Sequence, residues 1–493
     1  MTRRLPQPVR VYRVGGAVRD ELLGLPAGDC DWVVVGANPE MMVASGYTPV
    51  GRDFPVFLHP ETRDEYALAR TERKHGQGYR GFEFFATPEV TLEDDLRRRD
   101  LTINAMARDE HGTLIDPYGG SRDLRAGILR HVSEAFAEDP LRVLRVARFA
   151  ARFDFRIADQ TLDLMRAIVA SGELATIASE RVWTELARGL SEAHPSRMLR
   201  ALRACNALAA LMPEVDAQYR VRLNGDDAGA LTERALDWSA QQKRDLPVRY
   251  AALTQELDLV DARAANRRPA SANARRPSSK EATNRSRGVP DTVAVSTRSG
   301  VTRAEAVSKL LRVPLECRDA ARLAARWHRK VAVAQTLAPS ELLALITDVD
   351  ALRRPDRLDT LLASTAAHIA ATQGAAKRDG AEARIVRDAV AVVRSVDAET
   401  IARAASGSAP VTGQQGERIR AALREARLAA LRRWRRGLHG GSAQNAGRPT
   451  RGESAEKTGR PTRGESGQNA GRPARDKRGR NSARPRRGKR RPA

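Results

Sequence analysis

The chain has 493 residues, which is enough for about two to four domains of ordinary size. Lys and Arg number 85 against 61 Asp and Glu, and a net charge of +24 favours a polyanionic partner. There is no run of about 18 apolar residues and no apolar segment near the N-terminus, so we expect a cytoplasmic protein rather than a membrane-spanning or secreted one.

Residues 11–36 predict a strand, a glycine turn, a helix and a second strand. An apolar run leads into Gly15 and Gly16, a helical segment follows, and a second apolar run ends the stretch. Paired glycines at a strand-to-helix turn let backbone N–H groups approach an anion, and the guanidinium group of Arg19 can bind the same anion in a bidentate manner. The sequence therefore predicts an anion site at Gly16 and Arg19.

Two aspartates open the second strand of this stretch. Asp29 and Asp31 are separated by Cys30, and alternate side chains of an extended segment share a face. Hard carboxylate oxygens suit Mg²⁺, and two such ions about 3.5–4 Å apart serve phosphoryl chemistry. We predict that Asp29 and Asp31 are catalytic and hold metal; the alternative is a pair of solvated aspartates.

Further strands are predicted at 50–59 and 65–69. Glu65 begins the second of these, either as a further acidic group of the site or as a solvated strand end. Residues 70–82 carry three glycines in a polar context and predict a mobile loop over the site.

Two segments predict helices with arginines on one side. The first covers residues 92–106 and includes Arg99, and the second covers residues 138–155, where Arg142, Arg145 and Arg148 are three apart. Their apolar residues face the other way. Such arginines can bind a triphosphate, and the alternative is an ordinary solvated basic face.

A resemblance makes the interpretation specific. The blocks VGGAVRD, DCDWVVVG, GRDFPVFLHPET, EYALARTERK, EDDLRRRDLTINAMA, DPYGG and EDPLRVLRVARFAARF follow one another within residues 11–155. In order and spacing they closely resemble the bacterial class II tRNA nucleotidyltransferases, the CCA-adding enzymes. The resemblance implies addition of CCA to the 3′ end of tRNA, and its repair, from CTP and ATP with two Mg²⁺ ions and no nucleic-acid template, releasing pyrophosphate.

The resemblance also assigns residues. It implies that Asp139 and Arg142 select CTP and ATP by their base edges, since Asp accepts from an exocyclic amino group and Arg donates to ring acceptors. Arg145 and Arg148 would complete the nucleotide pocket, and Arg99 matches the family's nucleotide contact. The loop at 70–82 would help to switch between the two nucleotides.

The chain departs from many relatives after residue 230. Those relatives carry a metal-dependent phosphohydrolase domain with a His-Asp dipeptide, which occurs nowhere in this chain. Gln255 and Glu256 stand at the corresponding place, and a neutral amide does not replace an imidazole at a transition-metal site. We therefore expect a helical remnant without phosphohydrolase activity. The three cysteines show no CxxC pairing and indicate neither a disulfide framework nor zinc.

Most of the excess charge lies in two low-complexity segments. Residues 262–290 hold eight Lys and Arg against one acidic residue, and residues 442–493 hold sixteen against four. GRPTRGES occurs at 447 and again at 459, and dense Pro, Gly and like charge prevent a packed core. We expect disorder in both, with non-specific RNA contact by the basic tail as one possible role.

The predicted fold class is α+β: a small mixed-sheet nucleotidyltransferase head, an all-α body and disordered basic segments. The predicted boundaries are a catalytic head at 1–137, a nucleotide-selecting neck at 138–230, a degenerate phosphohydrolase-like region at 231–261 and 301–330, an insertion at 262–300, a helical tail at 331–437 and a basic repeat at 438–493.

Two alternatives stay open. A bacterial poly(A) polymerase shares the glycine turn, the paired aspartates and the arginine helix, and often ends in a basic extension. A non-catalytic RNA-binding protein would keep the fold and the tail without the chemistry. The blocks DWVVVG, FPVFLHPET and EYALARTERK favour the CCA-adding branch over the poly(A) polymerase. The intact pair of aspartates and the arginine helix argue against the non-catalytic protein.

Overall fold

The computed structural model describes residues 5, 8–26, 28, 30–50, 56–74, 82–85, 87–223, 225–260, 297–374, 380–406 and 413–444. Contacts between Cα atoms divide the chain into a unit of residues Met1–Gly437 and a second unit of residues Leu438–Ala493. The second unit is described only at residues 438–444, which end the last helix. Within these stretches no helix combines the length and hydrophobicity needed to cross a bilayer.

The described strands build one large sheet and three two-stranded ones. They are β1 (Arg10–Val14), β2 (Asp31–Val35), β3 (Thr48–Val50), β4 (Val56–Leu58), β5 (Glu65–Leu68), β6 (Thr71–Lys74), β7 (Phe82–Phe85), β8 (Ala107–Arg108), β9 (Leu114–Ile115), β10 (Ile128–Leu129), β11 (Arg156–Ile157), β12 (Arg222–Leu223) and β13 (Asp226–Asp227). The large sheet has the order β3-β4-β5-β2-β1-β8-β9, so β2 is its middle strand. Strand β2 pairs antiparallel with β1 and parallel with β5.

Both faces of the large sheet are covered by apolar side chains. Val33 and Val34 are neighbours on β2 and point to opposite faces, as the two-residue period of a strand requires. Val33 packs with Val14 and Leu96 in one cluster. Val34 packs with Met42 in the other. Because both faces of β2 are covered, the position of its first residue, Asp31, at the edge of the sheet is fixed.

Most of the remaining described residues are helical. They are α1 (Gly16–Leu22), α2 (Pro39–Ala44), α3 (Leu92–Arg97), α4 (Gly120–Ala126), α5 (Leu141–Phe153), α6 (Asp159–Ala170), α7 (Ser179–Ser191), α8 (Pro195–Ala204), α9 (Ala207–Leu211), α10 (Pro213–Ala217), α11 (Ala228–Gln241), α12 (Leu246–Thr254), α13 (Thr297–Leu310), α14 (Leu315–Val331), α15 (Pro339–Val349), α16 (Pro355–Gln373), α17 (Ala381–Arg394), α18 (Ala398–Ser406) and α19 (Gly413–Gln444). A large core extends from Val18 on α1 to Ala371 on α16. A second core, from Leu323 to Leu431, joins α14 to the later helices.

A glycine fixes the segment that connects α3 to the sheet. At Gly120 a Cβ atom would lie 2.1 Å from the carbonyl oxygen of Thr102, so no other residue fits without moving the backbone. Asp116 accepts hydrogen bonds from the backbone N–H groups of Gly120 and Ser121, at 2.6 and 2.9 Å, and so starts helix α4. The start of α4 therefore packs directly against the backbone of Thr102.

The predicted fold class is confirmed, with β2 at the centre of the sheet and helices throughout the later chain. The loop prediction for 70–82 is wrong at residues 71–74, which form β6 and pair with β7. Phe82, Phe84 and Phe85 supply the aromatic content that favours a strand. Residues 75–81 lie outside the described ranges.

Two predictions of disorder are wrong at their edges. Helix α13 starts at Thr297, inside the segment predicted as a disordered insertion, and Gly300 in its first turn packs closely against Asp258. Helix α19 continues to Gln444, beyond the predicted start of the tail at 438. Residues 261–296 and 445–493 lie outside the described ranges, and the domain boundaries stay predictions.

Candidate active site

A cavity of about 590 Å³ opens between the large sheet, the end of α3 and helices α1, α5 and α7. Among the described residues, its charged lining consists of nine arginines and four carboxylates: Arg19, Arg70, Arg98, Arg99, Arg142, Arg145, Arg148, Arg152 and Arg181, with Asp31, Glu65, Asp100 and Asp139. The excess of guanidinium groups makes the cavity cationic and suits a polyphosphate.

Two carboxylates meet at the sheet edge of this cavity. Asp31 begins β2, Glu65 begins β5, and the two are register partners in the parallel pair. Opposed residues of neighbouring strands project to the same face, and the next pair, Trp32 and Tyr66, stacks on the other face with ring centroids 5.5 Å apart. Adjacent carboxylates fit the oxygen ligands that Mg²⁺ prefers. Asp29, the other predicted ligand, lies outside the described residues.

The glycine turn lies against one of the cavity's arginines. Gly15 has a φ of +69°, and a Cβ atom there would lie 2.7 Å from Nη1 of Arg99. The N–H group of Gly15 donates to the carbonyl of Met106 at 3.1 Å, so this donor serves the fold and not an anion. Gly16, the predicted anion contact, starts α1 and lines the cavity.

Arg19 is more strongly engaged by the protein than the sequence suggested. It is buried, its Nη1 donates to Oδ1 of Asn104, and its Nε donates to Asp20 at 2.9 Å. The guanidinium also lies over the rings of Phe149 and Phe153, about 5 Å from each centroid. Burial lowers the pKa of Arg19, and Asp20 opposes that shift. Arg19 therefore ties α1 to α5 at the edge of the cavity.

Asp95 holds two of the arginines. Its buried carboxylate accepts from Nη2 of Arg98 at 2.5 Å and from Nη2 of Arg99 at 3.1 Å. Burial alone would raise the pKa of Asp95, but the two guanidinium groups outweigh it and lower the pKa. Helix α3 starts with a capping box between Thr91 and Asp94, which fixes this turn.

Asp100 connects the same segment to helix α5. It is buried, accepts from Asn104 at 2.9 Å and from Nε of Arg145 at 2.8 Å, and Asn104 in turn accepts from Arg19. Burial would raise the pKa of Asp100, but Arg145 and Asn104 hold it far below the ordinary value. The carboxylate therefore stays ionised and positions Arg145.

Asp100→Asn is expected to lower the free energy of unfolding by about 3 kcal/mol at neutral pH, because it leaves Arg145 without its buried partner. The folded-state pKa is depressed, so this stabilisation is complete above about pH 4, the ordinary pKa of Asp, and is lost as the pH falls further. Denaturant unfolding of both proteins between pH 3 and pH 7 measures the difference. A difference that does not shrink on acidification would contradict this role.

The predicted base-reading residues are held by their neighbours. Oδ2 of Asp139 accepts from Nη2 of Arg181 at 3.0 Å, and its Oδ1 accepts from the N–H of Leu141 at the start of α5. Arg142 is buried, and its Nη1 donates to the carbonyl of Ala135 at 2.8 Å. Both side chains line the cavity in defined orientations.

Glu185 on α7 supports two arginines of α5, Arg145 and Arg148. Nε of Arg148 donates to it at 2.7 Å, and Nη1 of Arg145 lies 3.9 Å away. Arg148 also lies over the ring of Phe149 at 4.5 Å. The arginine face of α5 is therefore anchored rather than solvated.

The cavity brings together every predicted site residue that the structure describes: Gly16, Arg19, Asp31, Arg99, Asp139, Arg142, Arg145 and Arg148. The sequence interpretation missed the residues that hold them, which are Asp95, Asp100, Asn104, Arg181 and Glu185. Asp95 pairs with Arg98 and Arg99, only three and four residues away. The other four have partners 37 to 85 residues away, and no local pattern pointed to those pairs.

The chain matches two family models in its first half. The model described as "Poly A polymerase head domain" matches residues 11–130, and the one described as "Probable RNA and SrmB- binding site of polymerase A" matches residues 154–219. The fold is similar to that of the Bacillus stearothermophilus CCA-adding enzyme in complex with CTP, with a TM-score of 0.57 and 23% identity over 89% of this chain and 95% of that one.

The mixed sheet, its edge carboxylates and the cationic cavity define a nucleotidyltransferase. The sequence is 49% identical to the multifunctional CCA protein of Aromatoleum aromaticum, over 86% of this chain and 98% of that protein. It is 51% identical to the one from Chromobacterium violaceum, over 72% of this chain and 84% of the relative. The chain therefore belongs to the family of the multifunctional CCA proteins.

Proposed function

We propose that this protein adds C, C and A to the 3′ end of tRNA and repairs incomplete ends. It uses CTP and ATP without a nucleic-acid template and releases pyrophosphate. One observation carries the proposal: the edge carboxylates Asp31 and Glu65 face the same cationic cavity as the base-edge pair Asp139 and Arg142. The relatives that bear the name of CCA proteins support tRNA as the substrate.

The cavity's own residues bind and orient the nucleotide. Two Mg²⁺ ions held by Asp29 and Asp31 would activate the attacking 3′-hydroxyl and stabilise charge on the leaving pyrophosphate. Arg99, next to the glycine turn, and Arg145, held by Asp100, supply fixed positive charge for the phosphates. Because these groups are oriented before the nucleotide binds, little reorganisation accompanies the reaction.

Asp139 and Arg142 select the base. The carboxylate of Asp139 accepts from the exocyclic amino group that cytosine and adenine share, and Arg142 donates to a ring nitrogen or carbonyl. Uracil and guanine present a carbonyl where the amino group would be. The same two side chains therefore accept CTP and ATP and disfavour UTP and GTP.

Arg181 orients Asp139 for this selection. Its Nη2 donates to Oδ2 of Asp139, and both side chains are part-buried. Arg181→Met is expected to lower kcat/KM for CTP about tenfold, the cost of one charge-assisted hydrogen bond, and to weaken discrimination against UTP. Single-nucleotide incorporation at saturating tRNA measures both.

A double-mutant cycle separates orientation from direct phosphate binding. If Arg181 acts through Asp139, adding Arg181→Met to Asp139→Ala costs little more than Asp139→Ala alone. Fully additive losses would mean that Arg181 acts elsewhere. Arg188→Met, an exposed position on the same helix, is the matched control.

Product length tests the function. A tRNA that lacks its last three nucleotides is incubated with CTP, ATP and Mg²⁺, and the products are separated on a gel. A stop after three added nucleotides supports CCA addition. A long ladder from ATP alone would indicate a poly(A) polymerase, and no extension would leave a non-catalytic RNA-binding protein.

We also propose that the chain lacks phosphohydrolase activity. Gln255 is fully buried, and its amide finds no hydrogen-bond partner among the described residues, so nothing orients it as a ligand. Hydrolysis of p-nitrophenyl phosphate is measured with Ni²⁺, Mn²⁺ or Mg²⁺. Turnover that depends on metal and disappears in Glu256→Gln would contradict the proposal.

A further inference from the structure

Three buried side chains that are far apart in sequence meet outside the active-site cavity. Glu256 lies in the 3₁₀ turn Gln255–Leu259, His328 on α14 and His368 on α16. One ligand atom from each lies within 4.8 Å of the others, and the side chains of Glu256 and His328 are each 1% exposed. A carboxylate with two imidazoles is a donor set that suits Zn²⁺ or Ni²⁺.

The imidazoles are oriented towards one oxygen of the carboxylate. Nδ1 of His368 lies 2.6 Å from Oε1 of Glu256. Nδ1 of His328 donates to the carbonyl of Ala324 at 2.7 Å, so Nε2 is the ring nitrogen on the side of the carboxylate. That Nε2 lies 3.6 Å from Oε1 of Glu256, beyond hydrogen-bond length, and has no partner among the described residues.

A guanidinium group already occupies the other side of this carboxylate. Arg329 follows His328 on α14, and its Nη2 donates to Oε2 of Glu256. Its Nε donates to Asp258 at 2.9 Å, and the carboxylate of Asp258 is 1% exposed. One planar cation thus bridges two buried acids of a single turn, a geometry that guanidinium matches well.

The charges explain why a second cation is disfavoured. Beside the two imidazoles lie two buried carboxylates, Glu256 and Asp258, and the guanidinium of Arg329 pairs with both of them. A divalent ion at Oε1 would be a second cation on a carboxylate that Arg329 already pairs, in a buried place where repulsion is poorly screened. Without Arg329, two buried carboxylates would remain beside the two imidazoles. A divalent ion would neutralise the two negative charges.

We propose that Arg329 takes the place of a divalent metal ion at the buried Glu256–His328–His368 cluster, so that α14, α16 and the 3₁₀ turn are joined without metal. Replacing Arg329 by an uncharged residue converts the cluster into a transition-metal site.

Metal content tests this independently of nucleotidyl transfer. Each protein is incubated with Zn²⁺ and an excess of Mg²⁺, which occupies the sites that contain only carboxylates. The protein is then desalted, and its zinc content is measured by mass spectrometry. Thermal unfolding of the same samples is measured in parallel. We expect no stoichiometric zinc in the wild type and no effect of a chelator on its Tm. Arg329→Met should retain one further equivalent of zinc and gain Tm on zinc addition, and His368→Ala in that background should lose both.

Two variants control for general effects. Arg326→Met removes an exposed arginine of the same helix and should behave as the wild type, and Arg329→Lys keeps the charge and should remain free of zinc. The zinc content of the wild type still tests the proposal if Arg329→Met does not fold. The proposal would be overturned if the wild type bound one equivalent of zinc that His368→Ala abolished. It would also be overturned if folded Arg329→Met bound no more zinc than the wild type.

Discussion

Asp31→Asn is expected to reduce nucleotide incorporation by at least about a thousandfold, because metal-assisted charge stabilisation contributes several kcal/mol to phosphoryl transfer. The substitution keeps the shape of the side chain and removes the negative charge opposite Glu65 on the parallel pair. Binding of tRNA, measured by filter retention, should stay within about twofold, since the arginines proposed to contact phosphate are untouched. Single-turnover incorporation of CTP measures the loss.

The control is Asp163→Asn on helix α6. Asp163 is exposed and pairs with Arg166 at 2.8 Å across one helical turn, an interaction that contributes little. It should incorporate nucleotide like the wild type. If Asp31→Asn kept activity within tenfold of the wild type, Asp31 would not be a catalytic metal ligand.

Asp139→Asn is expected to change which nucleotide the protein uses. The amide keeps an oxygen for the N–H of Leu141, so the start of α5 is preserved. Its NH₂ group donates where the carboxylate accepted, which disfavours the amino group of CTP and ATP and suits the carbonyl of UTP. One base-edge pair contributes about 1–3 kcal/mol of discrimination, so the CTP-to-UTP preference should fall by about 5–150-fold.

Competition between labelled CTP and UTP at saturating tRNA measures this ratio. Asp159→Asn, an exposed residue at the start of α6, is the matched control and should leave the ratio unchanged. An equal loss of CTP and UTP incorporation in Asp139→Asn would mean that Asp139 supports the fold of the pocket without reading the base.

Local patterns predicted the residues that face the cavity. Strand alternation placed Asp31 on one face of β2, and the three-residue spacing placed Arg142, Arg145 and Arg148 on one side of α5. Both periods are properties of a few consecutive residues, so a single sequence contains them. The resemblance to the CCA-adding enzymes then gave these residues their order and their proposed roles.

The ion-pair partners of the cavity residues could not be predicted from local patterns. Arg145 meets Asp100 across 45 positions, Arg148 meets Glu185 across 37, and Arg181 meets Asp139 across 42. These pairs depend on how α3, α5 and α7 pack, which no local period encodes. The sequence suggested solvated arginines as the alternative, and the buried acids are the reason that alternative fails.

The same limit explains the buried cluster. Glu256 and His368 are 112 positions apart, so no local pattern pairs them. His368 lies in the segment assigned to a helical tail, yet α16 packs against α11, α12 and α14 and brings it to Glu256. Helix packing, and not sequence proximity, assembled this site.

The most direct test of the account is a crystal of the protein soaked with CTP and Mn²⁺ and measured at the manganese absorption edge. We expect the triphosphate against the glycine turn and Arg99, the cytosine next to Asp139 and Arg142, and an anomalous peak at the carboxylate of Asp31. A triphosphate bound outside this cavity, with no manganese at Asp31, would contradict the account.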